Sequence, residues 1–522
     1  MQHFLKHLRL FLILIVSLLL FLISCSKKEE DSSSSNTSTQ SSTCVPKRTF
    51  TSVTKSSHKV ETKRSKNSLM DFSGLNRTLT ASTKVPLLVV RVQYADATFQ
   101  SNETSWADKI FGTSDGQMNH YLAETTYNKY QFTPIAETSG TTNDGLVTVT
   151  MSGNHPDTRN YDDKRYDCYA AAAITEADQY VKFAAYDTDS NDNLSVSELQ
   201  VIFLVAGGES ATGLNSPGGV WGAASSLQCD ADGDGSVRDE EGERWLTLDN
   251  VSLMGRKDSV YGQNGFSQFG ERQGSSPIDT WDATIGVMAH ELGHAFFILP
   301  DLYDTSEIGE GIGAFGLMGG GSWGKKSLSE KSGATPVHLS AWSKEKIGAC
   351  VPQTVDNGTN YITLPAVYQS SIHASSCRIY KATTSTSDEY FLFENRSPGG
   401  YDEGLYFKIL YGSTDSIHLN NLYTGGVAIW HVKDILSSCN NVSTNNCEAQ
   451  SPKLVDLEEA NDADLDNGSS KGRTTHLYYS GNSVTFNNSS TPDSKLYDNS
   501  SSGISATSIS AAGDSMTLTI SK

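Results

Sequence analysis

Apolar and polar residues follow two different patterns along this chain. "VPLLVVRVQY", starting at Val85, is a continuous apolar and β-branched run that predicts a buried strand. "GQMNHYLAETTYNKYQFTPIAE" predicts a helix giving way to a second strand. "DCYAAAAITEADQYV" predicts another helix, and "LQVIFLVAGGE" another buried strand. "DATIGVMAHELGHAFF" reads as a largely apolar helix opened by an Asp or Thr cap, with Gly286 and Gly293 permitting close packing. Strands alternating with helices predict a mixed α/β domain over residues 85–350. After Gly348 the pattern changes. "EYFLFENR", "LYFKILY", "GGVAIWHVKD" and "DSMTLTISK" are strand-like runs separated by Gly, Ser and Asn turns, so residues 351–522 are expected to be β-rich. The fold class predicted is α+β.

The N-terminus breaks both patterns. "MQHFLKHLRLFLILIVSLLLFLISC" has a basic start, an apolar run and a closing Leu-x-Ser-Cys, and resembles the lipobox of bacterial lipoproteins. That resemblance makes residues 1–24 a signal peptide and Cys25 the lipid-bearing first residue. An uncleaved membrane anchor is the alternative. Residues 25–84 open with "SKKEEDSSSSNTSTQSST", a polar tether with no means of burying a core. The basic segment after it is more tether or a short pro-segment. With either kind of anchor the bulk of the chain is expected outside the cytoplasm, and the lipobox reading makes that anchor a lipid on a bacterial membrane. In a Gram-negative host that would be the outer membrane or cell surface.

Charge narrows the partners. The 522 residues carry a net charge of −20 with no basic face to meet phosphates, which argues against nucleic acid. No feature implies an oligomer. Of eight cysteines, seven remain once Cys25 is set aside, and outside the cytoplasm they are free to pair. Cys439 with Cys447, Cys350 with Cys377 and Cys168 with Cys229 are the pairs proposed, leaving Cys44 in the tether.

The candidate chemistry lies in "VMAHELGHAFFILPDLYD", Val287 to Asp304. Positions four apart share one face of a helix, so His290 and His294 can grip one metal ion from the same side. Glu291 projects beside them, placed to take a proton from a water activated by the metal. A buried helix gains nothing from such residues unless they are paired, because burying them alone costs several kcal/mol. Zinc is the cofactor this spacing suggests. For the third ligand, Ala314 stands where a later glutamate would be needed, and Glu307 and Glu310 fall too early. Asp301 and Asp304 remain, with Asp301 favoured because Pro300 ends the helix and turns the chain there. "GIGAFGLMGGGSW" places Met318 in a Gly-rich turn of the kind that floors a metzincin site.

Two acidic loops precede the helix. Asp230, Asp232, Asp234, Ser236 and Glu241 follow calcium-loop spacing, with glycine at the sixth position. Asp187, Asp189, Asn191, Asn193 and Glu198 repeat the skeleton, but Asp192 stands where glycine is usual. Calcium is the second cofactor expected, as a brace for loops rather than a signal.

"HELGH…LPDLYD", "GIGAFGLMGGGSW", "TPVHLSAWSKEKIG", "EYFLFENR", "GGVAIWHV" and "LVDLEEAN", in that order, resemble the immune inhibitor A type of secreted zinc metalloproteases. The resemblance runs from about Val85 to the C-terminus and implies a metzincin-like zinc protease domain followed by the β-rich region. By that resemblance His290 and His294 are zinc ligands, Glu291 the general base, Asp301 the third ligand and Met318 the Met-turn. The family spacing is His-x-x-Gly-Leu-Pro-Asp. Here "HAFFILPD" has one residue more and lacks the glycine, so either a small bulge at the helix exit absorbs the insertion or Asp304 or water completes the shell. The activity implied is zinc-dependent endopeptidase cleavage of protein or peptide substrates. Apart from the resemblance, Tyr303 and His338 are candidates for stabilising the transition state, with a structural role the favoured reading of His338. The rival is a catalytically inactive, calcium-braced surface binding lipoprotein, which would have no need to keep His290, Glu291 and His294 together.

Overall fold

The computed structural model describes residues 83–159, 166–225, 227–229, 244–253, 265–304, 308–369, 378–406, 423–434, 452–461, 463–468 and 470–522. The signal peptide, Cys25, the tether, the Asp230–Glu241 loop, Cys377, Cys439, Cys447 and most of "LYFKILY" lie outside them. Among the described residues no helix is long and apolar enough to cross a membrane.

β1 (Thr83–Gln93) is an interior strand of an eight-stranded sheet. After it come α1 (Glu103–Phe111) and α2 (Met118–Thr125), then β2 (Tyr130–Pro134), β3 (Leu146–Thr150) and α3 (Tyr166–Ala177). β4 (Gln200–Glu209), β5 (Gly219–Val220), β6 (Ala223–Ser225), β7 (Phe266–Ser276) and β8 (Asp279–Asp282) complete the sheet. Its main path runs β8-β7-β4-β1-β2, parallel except where β8 returns antiparallel along β7. The unbroken apolar run of β1 follows from this position, since a parallel central strand is covered on both faces. Leu87 and Val89 join the core that holds α1, α2 and the histidine helix, while Leu88, Val90 and Val92 face the core that holds α3. Period-two alternation puts those two sets on opposite sides.

α4 (Ile285–Ala295) and α5 (Ala341–Lys346) follow. The regular elements of the rest are chiefly strands, as the sequence pattern predicts. β9 (Gln353–Thr354), β10 (Thr359–Pro365), β11 (Tyr380–Thr383), β12 (Glu389–Asn395), β13 (Val427–Lys433), β14 (Val455–Leu457), β15 (Ser505–Thr507) and β16 (Ser515–Ser521) form two sheets, ordered β9-β11-β12-β13-β14 and β10-β16-β15. Packing is continuous through position 350: the core around α4 also contains Cys350, Ile379, Tyr390, Trp430 and Leu477. Cys168 and Cys350 are both disulfide-bonded.

Candidate metal centre

Every residue of α4 is buried. Thr284 is its N-cap, but the Thr284 hydroxyl serves Gln273 and the Ser332 carbonyl instead of the first turn. The helix packs so tightly that a Cβ at Gly293 would run into Met318 Sδ. Its exit explains how the additional residue is absorbed. Ile298 N–H donates to the His294 carbonyl (3.1 Å) and Leu299 N–H to the Gly293 carbonyl (2.9 Å), with Ile298 at φ 59°. Each of these bonds spans one residue more than its counterpart in a Schellman turn, and Ile298 fills the left-handed position that normally belongs to glycine. The chain then reverses at Pro300 and brings Asp301 back under the two histidines.

His290 Nε2 lies 3.1 Å and His294 Nε2 3.0 Å from Asp301 Oδ1, and the two Nε2 atoms are 3.3 Å apart. His290 Nδ1 meets the Leu317 carbonyl at 3.1 Å and His294 Nδ1 the Leu299 carbonyl at 2.6 Å. A carbonyl only accepts, so each Nδ1 carries the proton and each neutral ring turns a bare Nε2 lone pair inward. Protonating both Nε2 atoms to pair with Asp301 would press two imidazolium ions together, so we read the triangle as three converging lone pairs. Asp301 Oδ1 is buried without a hydrogen-bond donor. Three such atoms need a cation among them. Their spacing matches the edge of a tetrahedron whose ligands stand about 2.0–2.1 Å from zinc, which is about 3.3 Å. The donor set therefore fits the metal.

The floor of the centre is the turn around Met318, which is 1% exposed. Leu302 N–H donates to the Met318 carbonyl at 2.8 Å, tying the Asp301 loop to that turn. Leu317 N–H in turn donates to the His338 carbonyl (3.2 Å), and His338 N–H to Asp402 Oδ1 (3.1 Å). Asp402 is held bidentately by Arg396, which also donates to the Phe315 carbonyl. The turn that orients His290 is thus supported from behind by residues of the β-rich half.

Glu291 is 7% exposed and makes no hydrogen bond among the described residues. Burial, opposed by His290 and reinforced by Asp301 and Glu209, pushes its carboxyl up to about 8. Glu209, at the end of β4, is fully buried, and desolvation against its backbone donors pushes it up to about 7. Nothing in the sequence reading singled it out, although a carboxylate closing the apolar run "LQVIFLVAGGE" was a usable signal.

The other candidate residues fall elsewhere. Asp304 is buried and accepts from Gly309 N–H at 2.8 Å, outside the cluster of possible ligands. Tyr303 stacks near His290, ring centres 6.2 Å apart, and is partly exposed. His338 is fully buried and pairs with Glu124 at 2.8 Å, behind the floor of the centre. In the second acidic loop Asp187, Asp189 and Glu198 bring carboxylate oxygens within 4.8 Å of one another. Asp192 there takes φ 60°, the left-handed turn for which the sixth position usually holds glycine. Asn191 and Asn193 are engaged with loop backbone and with Asp189.

Residues 118–351 match the family model described as the immune inhibitor A peptidase M6 catalytic domain. No curated protein matches the chain. The matched segment contains α4, the Asp301 loop and the Met318 turn, and the match supports a metallopeptidase, a class whose substrates are proteins or peptides.

Proposed function

We propose that this metallopeptidase is a zinc-dependent endopeptidase acting outside the cytoplasm. The observation that carries the reading is the convergence of His290 Nε2, His294 Nε2 and Asp301 Oδ1 within 3.0–3.3 Å, with both Nδ1 protons already committed to carbonyls. A zinc ion held by these atoms supplies Lewis acidity, both to acidify a water and to polarise the scissile carbonyl. The protein does the rest. Leu317 and Leu299 fix the tautomer and plane of each imidazole. Glu291 takes the proton released as the water oxygen bonds to the carbonyl carbon, then passes it to the amine nitrogen as the C–N bond breaks. Its low exposure suits this shuttle, because a carboxylate short of solvation binds a proton more readily.

The same reading gives Cys25 a lipid after removal of residues 1–24, and the Asp187–Glu198 and Asp230–Glu241 loops calcium. Mass measurement of membrane-extracted protein checks the first, and calcium-dependent protection from proteolysis the second.

Glu291→Gln is the direct test of the chemistry. The variant should keep one zinc per chain and its thermal unfolding profile while casein cleavage falls by at least about a thousandfold. Cleavage at the wild-type rate would exclude Glu291 as the base.

A further inference from the structure

Glu209 ties together three pieces of backbone. Its Oε1 accepts from Ala211 N–H and Gly222 N–H, both at 3.1 Å, and its Oε2 accepts from Gly270 N–H at 3.0 Å. Ala211 lies in the turn after β4, Gly222 in the link between β5 and β6, and Gly270 in β7 beside a register shift. A buried carboxylate met by several N–H donors is a common way to close a turn, and the Ala211 bond alone needs no further role. Gly222 gives the arrangement a second meaning. A Cβ built there would stand 3.0 Å from Val287 Cγ2, 3.3 Å from Glu291 Oε1 and 3.5 Å from Glu209 Oε1. Both carboxylates and the helix therefore crowd the place where a side chain at position 222 would stand, and only glycine leaves room for them.

Resting on the zinc-peptidase reading of Glu291, we propose that Glu209 is a positioning residue for it. Glu209 clamps the Gly222 backbone into a wall that limits where the Glu291 carboxylate can sit. Glu291 has no hydrogen-bond partner of its own among the described residues, so contact is what fixes its place. Gln268 Nε2 holds the neighbouring Trp221 carbonyl at 3.0 Å, which fastens the other end of the same peptide segment. Trp221 itself is 39% exposed, so the segment forms the rim of the site rather than its interior. Without the Glu209 clamp the rim can lift, and Glu291 gains room to turn away from the attacking water.

Two variants test this contact. Glu209→Gln keeps the shape but sets an NH2 group against a backbone N–H. Gly222→Ala leaves Glu209 intact and pushes a methyl toward Glu291. Both should be prepared as holoenzyme beside Glu291→Gln and assayed on a fluorogenic peptide for kcat and KM, with zinc per chain and Tm measured on the same samples. The expected result is a kcat lower by roughly ten- to a hundredfold in both, KM within about twofold of wild type and zinc content unchanged. If kcat per zinc-loaded molecule stays at the wild-type value in both, with only Tm reduced, Glu209 merely closes a turn and the proposal falls. If Glu209→Gln does not fold, Gly222→Ala decides alone: normal kcat overturns the proposal and reduced kcat at unchanged KM upholds it. Activity surviving in Glu291→Gln would instead overturn the reading on which this one rests.

Discussion

Two buried polar clusters lie on either side of the Met318 turn, and they obey opposite rules. In front, His290, His294 and Asp301 bring three lone pairs together with no positive charge among them. Behind, Arg396 and Lys344 meet Asp402 and Glu394, all four fully buried, in a network where each charge faces its opposite. Trp430 and the Ala341 N–H add donors to Glu394. The rear cluster is complete as it stands. The front one is complete only with a cation. Buried groups that repel one another are maintained for function, whereas groups that satisfy one another hold the fold. That difference gives separate expectations for mutations on the two sides.

The largest effect is expected in front. Asp301→Ala removes one of three ligands and should weaken zinc binding by more than about a hundredfold, taking peptide cleavage with it. Because the same change relieves a crowded set of lone pairs, the metal-free variant should unfold at the same urea concentration as the metal-free wild type, or higher. Zinc titration and urea melts of both metal-free proteins measure the two halves of this expectation. A variant that binds zinc as tightly as wild type would transfer the third ligand elsewhere.

Behind the turn the order reverses, and stability is what fails first. Arg396→Met leaves Asp402 and Glu394 short of their main cation and should cost about 3–5 kcal/mol, since breaking a buried pair strands the partner's charge. Zinc affinity should fall less than in Asp301→Ala, through loosening of the Phe315 and Leu317 carbonyls. Should Arg396→Met keep its full urea midpoint, the contrast between the clusters would be lost.

A smaller effect follows from acid. Burial alone would raise the Asp402 carboxyl, but the Arg396 guanidinium bound to it holds it below the usual range. Its folded value therefore lies below the unfolded one of about 3.9. The stabilisation it contributes is full above that unfolded value and is lost as pH falls through the folded one. Metal-free protein should thus lose the share of stability that Asp402 contributes as pH falls below about 4. Asp402→Asn should flatten that acid limb; an unchanged limb would assign it to other carboxylates.

The front cluster was far more legible in the sequence than the rear one. Helical spacing places His290 and His294 on one face, and Pro300 announces the turn that presents Asp301, so local rules suffice. The parallel core strands were legible for the same reason, because β1 and β4 are unbroken apolar runs. Arg396 and Asp402 looked like ordinary polar residues after a strand, since their partners Phe315 and His338 lie some sixty or more positions away and only the folded chain joins them. Glu209 was overlooked likewise: its acceptors serve backbone N–H groups, and no side-chain motif encodes those.

The smallest effect tests how the additional residue before Asp301 was accommodated. Ile298 sits at φ 59°, a conformation that costs a β-branched side chain roughly 1–2 kcal/mol and that glycine adopts freely. Against this, Ile298 is half-buried and glycine would lose its apolar contact and stiffen the chain less, each on the order of 1 kcal/mol. The terms nearly cancel, so Ile298→Gly should change stability by no more than about 1 kcal/mol. Zinc affinity should be preserved, because the Leu299 carbonyl that holds His294 is fixed by the turn and not by the isoleucine side chain. Ile298→Pro is the counterpart: it removes the N–H that bonds the His294 carbonyl and forbids positive φ, so it should release Asp301 and abolish zinc binding. Equal zinc affinities in the two variants would mean that the ligand loop does not depend on this turn, and that Asp301 is held instead from the Met318 side.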